Sequence, residues 1–128
     1  MRLVPNQKWK NISKQFSDYV KKIASPNVTV KVKEHHGGEP YLTSTESKAY
    51  KSASKAYKDV FKKEPIPTRD GGSIPIIAQF EKILKSKTIL MGFGLDSDAI
   101  HSPNEHFGVS NFLKGIETIT KFYHHYTK

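Results

Sequence analysis

The chain contains no cysteine, which excludes disulfides, thiolate zinc sites and a cysteine nucleophile. Arginine is nearly missing too: Arg2 and Arg69 stand alone among 21 basic residues, the rest being lysine. Surfaces that read nucleic acid usually mix in arginine, whose planar fork matches phosphate and guanine. No apolar run approaches the roughly 18 residues that a membrane-spanning helix needs. The stretch Met1–Pro5 lacks the apolar core of a secretory signal. What remains is 128 residues with 26% charged side chains and a mean hydropathy of -0.58, the profile of a soluble, foldable chain of one domain or one domain and a small partner. A cytoplasmic protein without a membrane partner is expected.

The net charge of +9 is unevenly spread. Residues 1–63 hold 14 Lys/Arg against 5 Asp/Glu, whereas residues 64–128 hold 7 of each. The lysines of the first half fall mostly on the outer faces of amphipathic helices, where solvation accounts for them. No nucleic-acid partner is expected on that ground.

Hydrophobic spacing sets out the elements. Arg2–Pro5 reads as the end of a strand, and Asn6 as the cap of a helix burying Trp9, Ile12, Phe16, Tyr19, Val20 and Ile23. Ser25-Pro26-Asn27 ends it, and Val28, Val30 and Val32 alternate with polar residues as in a strand packed on one face. His35–Pro40 breaks the pattern as a boundary or hinge. Thr43 and Glu46 form a capping pair for a helix burying Ala49, Ala53, Ala56, Tyr57 and Val60. Ser73, with Pro75 in the first turn, opens a helix through Ile77, Phe80, Ile83 and Leu84. Thr88–Met91 reads as a buried strand, and residues 95–106 as a polar loop. A last helix places Val109, Phe112, Leu113, Ile116, Ile119 and Tyr123 on one buried face. The expected class is α/β, helices packed on a mixed or parallel sheet, preceded by a strand-helix-strand piece of an α+β layer.

Two loops carry chemistry. Arg69-Asp70-Gly71-Gly72-Ser73 suits an anion, because glycines admit close approach and the next helix presents free N–H groups. It equally suits an ordinary turn in which Ser73 only caps. Asp96–Glu105 surrounds His101 with carboxylates, so His101 is either one metal ligand or a solvated loop histidine. The adjacent pairs His35-His36 and His124-His125 cannot both chelate one ion from regular geometry, and His124-His125 reads as surface. No triad or H-E-x-x-H motif occurs.

Four motifs in register carry a resemblance. Arg2-Leu3-Val4-Pro5-Asn6, His36-Gly37-Gly38-Glu39-Pro40, Arg69-Asp70-Gly71-Gly72-Ser73-Ile74-Pro75 and His101-Ser102-Pro103-Asn104-Glu105 resemble the C-terminal part of the carnosinase-like, cytosolic dipeptidase family of two-zinc metallopeptidases, related to aminoacylase and carboxypeptidase G. The resemblance implies the end of a lid and dimerisation domain at 1–37 and the C-terminal segment of a catalytic domain at 38–128. It implies a hydrolase acting on small peptides with a free C-terminal carboxylate, with two zinc ions, manganese being the alternative. His101 would be a metal ligand. Arg2, His36, Gly72 and Ser73 would bind substrate, Arg2 gripping the carboxylate. The family usually has glutamate where this chain has Asp70. Its other metal-binding residues and its general base lie upstream and have no counterpart here. The chain alone is therefore expected to be inactive, a portion of a longer homodimeric enzyme, and to self-associate or fold only in part. The alternative is a non-enzymatic association or peptide-binding module.

Overall fold

A computed structural model describes residues 1–69, 74 and 76–128. It contains helices α1 (Trp9–Ile23), α2 (Lys48–Phe61), α3 (Ile76–Leu84) and α4 (Val109–Tyr126), with a short 3₁₀ turn at Asp96–Asp98. The residues form two compact units. One joins Met1–Leu42 with Arg69–Ser86; the other joins Thr43–Thr68 with Lys87–Lys128.

The first unit carries α1 and α3. The N-cap of α1 is Lys8, without a side-chain bond, and not Asn6 as expected. Asn6 is held at φ 72° in a tight turn, where asparagine is tolerated but is too far from the helix to cap it. That turn is closed from both sides: the Gln7 amide donates to the Val4 carbonyl at 3.2 Å, and the Val4 amide donates to Gln7 Oε1 at 3.0 Å. Lys21 and Lys22 sit in the last turn of α1, complementing its dipole. The helix meets the segment around residue 34 through a hydrogen bond from Ser13 Oγ to Glu34. The apolar stripe of α1 forms as its spacing predicts, yet no residue of the helix is buried, and Phe16, Tyr19 and Ile23 face water.

The second unit is a helix pair. Ala53, Ala56 and Val60 of α2 are buried, as expected, together with Ser52. They pack on α4, whose buried residues are Gly115 and Thr118. Small residues on both sides let two helix backbones come close. The buried Thr118 hydroxyl donates to the Lys114 carbonyl at 2.7 Å, so it is not orphaned. The N-cap of α2 is Ser47, whose Oγ accepts the Tyr50 amide at 3.1 Å, in place of the expected Thr43. Thr43 is engaged elsewhere, donating to the Thr88 carbonyl at 2.9 Å.

One expectation is corrected, and another finds no support among the described residues. The predicted buried face of α4 is its outer face: Val109, Phe112, Leu113, Ile116, Ile119 and Tyr123 are all exposed, and the helix packs through its small residues. Periodicity marks an apolar face but cannot name the surface that covers it. In addition, no strand is assigned among the described residues, at 2–5, 28–33 or 88–91. A strand exists only when a second backbone completes the ladder, and alternation alone supplies none.

Candidate functional site

The loop 95–106 is built from turn upon turn. Asp98 is 3% exposed and its Oδ2 accepts the Leu95 amide at 2.9 Å. The Ser102 amide donates to Ala99 O at 2.9 Å, and the Glu105 amide to Ser102 O at 3.2 Å. The His106 amide closes the loop on Asp98 O at 3.0 Å. Ala99, His101 and Asn104 all lie in the left-handed region, at φ 53°, 62° and 64°. Asparagine tolerates that region, but Ala99 and His101 each cost on the order of 1–2 kcal/mol there, and such strain gathers at functional loops. His101 stands exposed at this crest. The loop's buried carboxylate is thus spent on the backbone, while the side chains of Asp96 and Glu105 are exposed.

The stem of the loop is anchored to the helix pair. Phe93 stacks on Tyr57 with centroids 5.4 Å apart, and its carbonyl accepts from Asn111 Nδ2 at 3.0 Å. Tyr57 donates its hydroxyl to the Gly92 carbonyl at 2.7 Å, and burial pushes that phenol up to about 12. A Cβ on Gly115 would meet the Phe93 ring at 3.3 Å, so glycine lets the stem lie against α4. His125 Nε2 donates to Asp59 Oδ2 at 2.8 Å, linking the last turn of α4 to α2. That bond holds the Asp59 carboxyl below its ordinary value. Sequence reading treated His125 as plain surface, and nothing in its local spacing pointed to Asp59, 66 residues away.

Arg2 and His36 lie in the first unit, both exposed. Arg2 precedes the Val4–Gln7 turn. His36 is followed by Gly37, where a Cβ would fall 2.7 Å from Cδ2 of Trp9 and closer still to Cε3. Glycine at position 37 is therefore required by the α1 indole, a packing role that the motif alone did not reveal. Gly72 and Ser73 lie outside the described residues.

Among the described residues, no three His, Asp or Glu side chains come together to hold a metal ion. Zinc takes three or four protein ligands, so His101 and its neighbours do not fit a complete zinc site. A cavity of about 580 Å³ in the second unit is instead basic, lined by Lys48, Lys51, Lys55 and Lys128 with Glu46 and His125, and not by His101. No helix among the described residues is long and apolar enough to cross a membrane.

Comparison with known proteins gives these features a family. The chain is 35% identical over 132 residues to the Cys-Gly metallodipeptidase DUG1 of Candida albicans, covering 100% of this chain and 27% of that protein. It is 31% identical over 127 residues to the human Beta-Ala-His dipeptidase, covering 96% of this chain and 25% of that one. The fold matches a solved structure of the dipeptidase Dug1p from Saccharomyces cerevisiae with a TM-score of 0.84 and 30% identity, over 98% of this chain and 27% of that one. The chain thus spans about a quarter of the length of the relatives it matches. Residues 4–125 match the model of peptidase family M20/M25/M40, and the chain belongs to that family.

Proposed function

We propose that this chain is the C-terminal portion of a zinc-dependent metallodipeptidase that hydrolyses the amide bond of small peptides with a free C-terminal carboxylate. The observation that carries the reading is the family match over residues 4–125 together with relatives named for Cys-Gly and Beta-Ala-His dipeptides. Both substrates are dipeptides ending in a carboxylate. Arg2 is suited to that group, since a guanidinium binds a carboxylate through two parallel hydrogen bonds. His101 supplies one metal ligand from the crest of its loop. Gly72 and Ser73 hold the substrate near the metal, and His36 helps close the site from the lid hinge. Residues 1–37 belong to the lid and dimer interface, and residues 38–128 complete an α/β catalytic domain with helices on a sheet. The metal is zinc, with manganese as the alternative, and the working enzyme is a cytoplasmic homodimer.

No hydrolytic step is assigned to groups of this chain alone. One histidine does not hold two ions, and no general base is identified here, so the chain by itself is inactive. The test is to join it to the rest of a family member and measure dipeptide hydrolysis with added zinc. The joined protein is expected to turn over, and its His101→Ala variant to lose activity by about a hundredfold or more, as befits loss of a direct ligand. Equal activity of the two would remove His101 from the metal site. Hydrolysis by the unjoined chain would overturn the inactivity, and tight peptide binding without any hydrolysis after joining would favour a binding module.

A further inference from the structure

Helix α2 gathers lysines on one face. Lys48, Lys51, Ser52 and Lys55 line the cavity of about 580 Å³ in the second unit, and His125 and Lys128 reach it from the end of α4. At 3.6 residues per turn the four α2 positions fall within about 100° of arc, so their side chains share one concavity. Few carboxylates oppose them. Glu46 lines the cavity too and pairs with Lys51 at 2.9 Å, while Asp59 accepts from His125 Nε2 at 2.8 Å. Among the described residues neither Lys55 nor Lys128 has an ion-pair partner. Lys48 is held over the Tyr126 ring, its Nζ 5.4 Å from the centroid, a contact that steadies the cation without neutralising it.

Ser52 adds a group of another kind. It is 5% exposed, it lines the cavity, and no hydrogen bond of its hydroxyl is found among the described residues. Buried polar groups in folded proteins are nearly always satisfied, so a hydroxyl left open among ammonium groups points to a ligand that accepts. The chemistry narrows that ligand. Arginine is the side chain that grips carboxylates bidentately, and none lines this cavity. Ammonium groups act as compact point charges and suit phosphate oxygens. Four lysines against one glutamate call for several negative charges, and the volume lies in the range of small-molecule sites, beyond what one inorganic phosphate fills. A nucleic-acid backbone would be tracked by an extended stripe, whereas these lysines meet at one cavity. We infer that this cavity binds an oligophosphate, the linear triphosphate group matching its charge, either free or as the tail of a nucleotide. The site uses neither His101 nor a metal and stands apart from the peptidase reading.

The test titrates sodium triphosphate, and separately adenosine triphosphate, into this chain without divalent metal and follows the heat. One-to-one binding is expected, weakening as salt is raised. Lys55→Gln should weaken it by about fivefold or more and Ser52→Ala by about threefold, each the loss of one hydrogen bond to a charged ligand. Removing two charges from α1 instead, through Lys21→Gln with Lys22→Gln, should leave the affinity within about twofold, because exposed charges outside the site are screened. Equal affinities for the two ligands identify the triphosphate group alone as what is bound, and tighter adenosine triphosphate identifies a nucleotide. Amine acetylation of the unaltered chain, read by mass spectrometry, should show Lys48, Lys51 and Lys55 protected by triphosphate and Lys21 and Lys22 unprotected, which keeps the test sound if a variant misfolds. No binding, several equivalent sites, citrate binding as tightly, or equal losses from the α1 and α2 variants would overturn the inference.

Discussion

The indole of Trp9 fills the space that a side chain at position 37 would need. The segment that bears His36 is thereby fastened to the first turn of α1. Gly37→Ala should push the ring aside and destabilise the first unit by about 1–3 kcal/mol, the usual range for overpacking. Trp9 is the chain's single tryptophan, so its fluorescence during denaturant unfolding reads the change directly. An unchanged midpoint and emission maximum would show that the segment around His36 is not held by this contact.

A second prediction concerns the α2–α4 contact. Ala56 is 0% exposed, and the buried residues of the facing helix are the small Gly115 and Thr118. Ala56→Leu should separate the helices and lower stability by about 1–3 kcal/mol. Chemical denaturation followed by circular dichroism measures it.

Acid should loosen the same pair through Asp59. The hydrogen bond from His125 holds this carboxyl below its ordinary value. A depressed folded-state value means the stabilisation is complete above the unfolded carboxylate pKa of about 3.9 and is lost as pH falls through and below it. The melting temperatures of the parent and Asp59→Asn should therefore differ near neutrality and converge in acid. A gap that stays constant into acid would deny the bond its role.

Alkali acts on Tyr57. Burial pushes this phenol up to about 12. Because the neutral form is favoured in the folded state, its contribution is complete below the ordinary tyrosine value of about 10 and disappears as pH climbs toward 12. Phenolate absorbance should show one tyrosine titrating after the others, and Tyr57→Phe should abolish that last step.

The loop of His101 separates structure from chemistry. Asp98→Ala removes the buried acceptor of the Leu95 amide and should cost about 1–3 kcal/mol locally, seen as faster amide exchange across residues 95–106. His101→Ala, at an exposed position, should leave stability within about 0.5 kcal/mol. Its effect is expected only on catalysis in the joined enzyme.

The sequence by itself determined the helices, because periodicity of 3.6 residues is a local property: the apolar stripes of α1 and α4 and the buried alanines of α2 were all legible. It also determined the family, since four separated motifs in register need no coordinates to be read. Helix starts were less legible. Thr43 and Asn6 have the chemistry of caps, but one bonds to Thr88 and the other bends a turn. Tertiary structure alone decided which side of α4 meets α2, why Gly37 is glycine and that His125 finds Asp59. Those outcomes depend on which surfaces meet across tens of residues. A stripe of valines, or of leucines and isoleucines, encodes a need for cover, while the identity of the cover belongs to the partner surface.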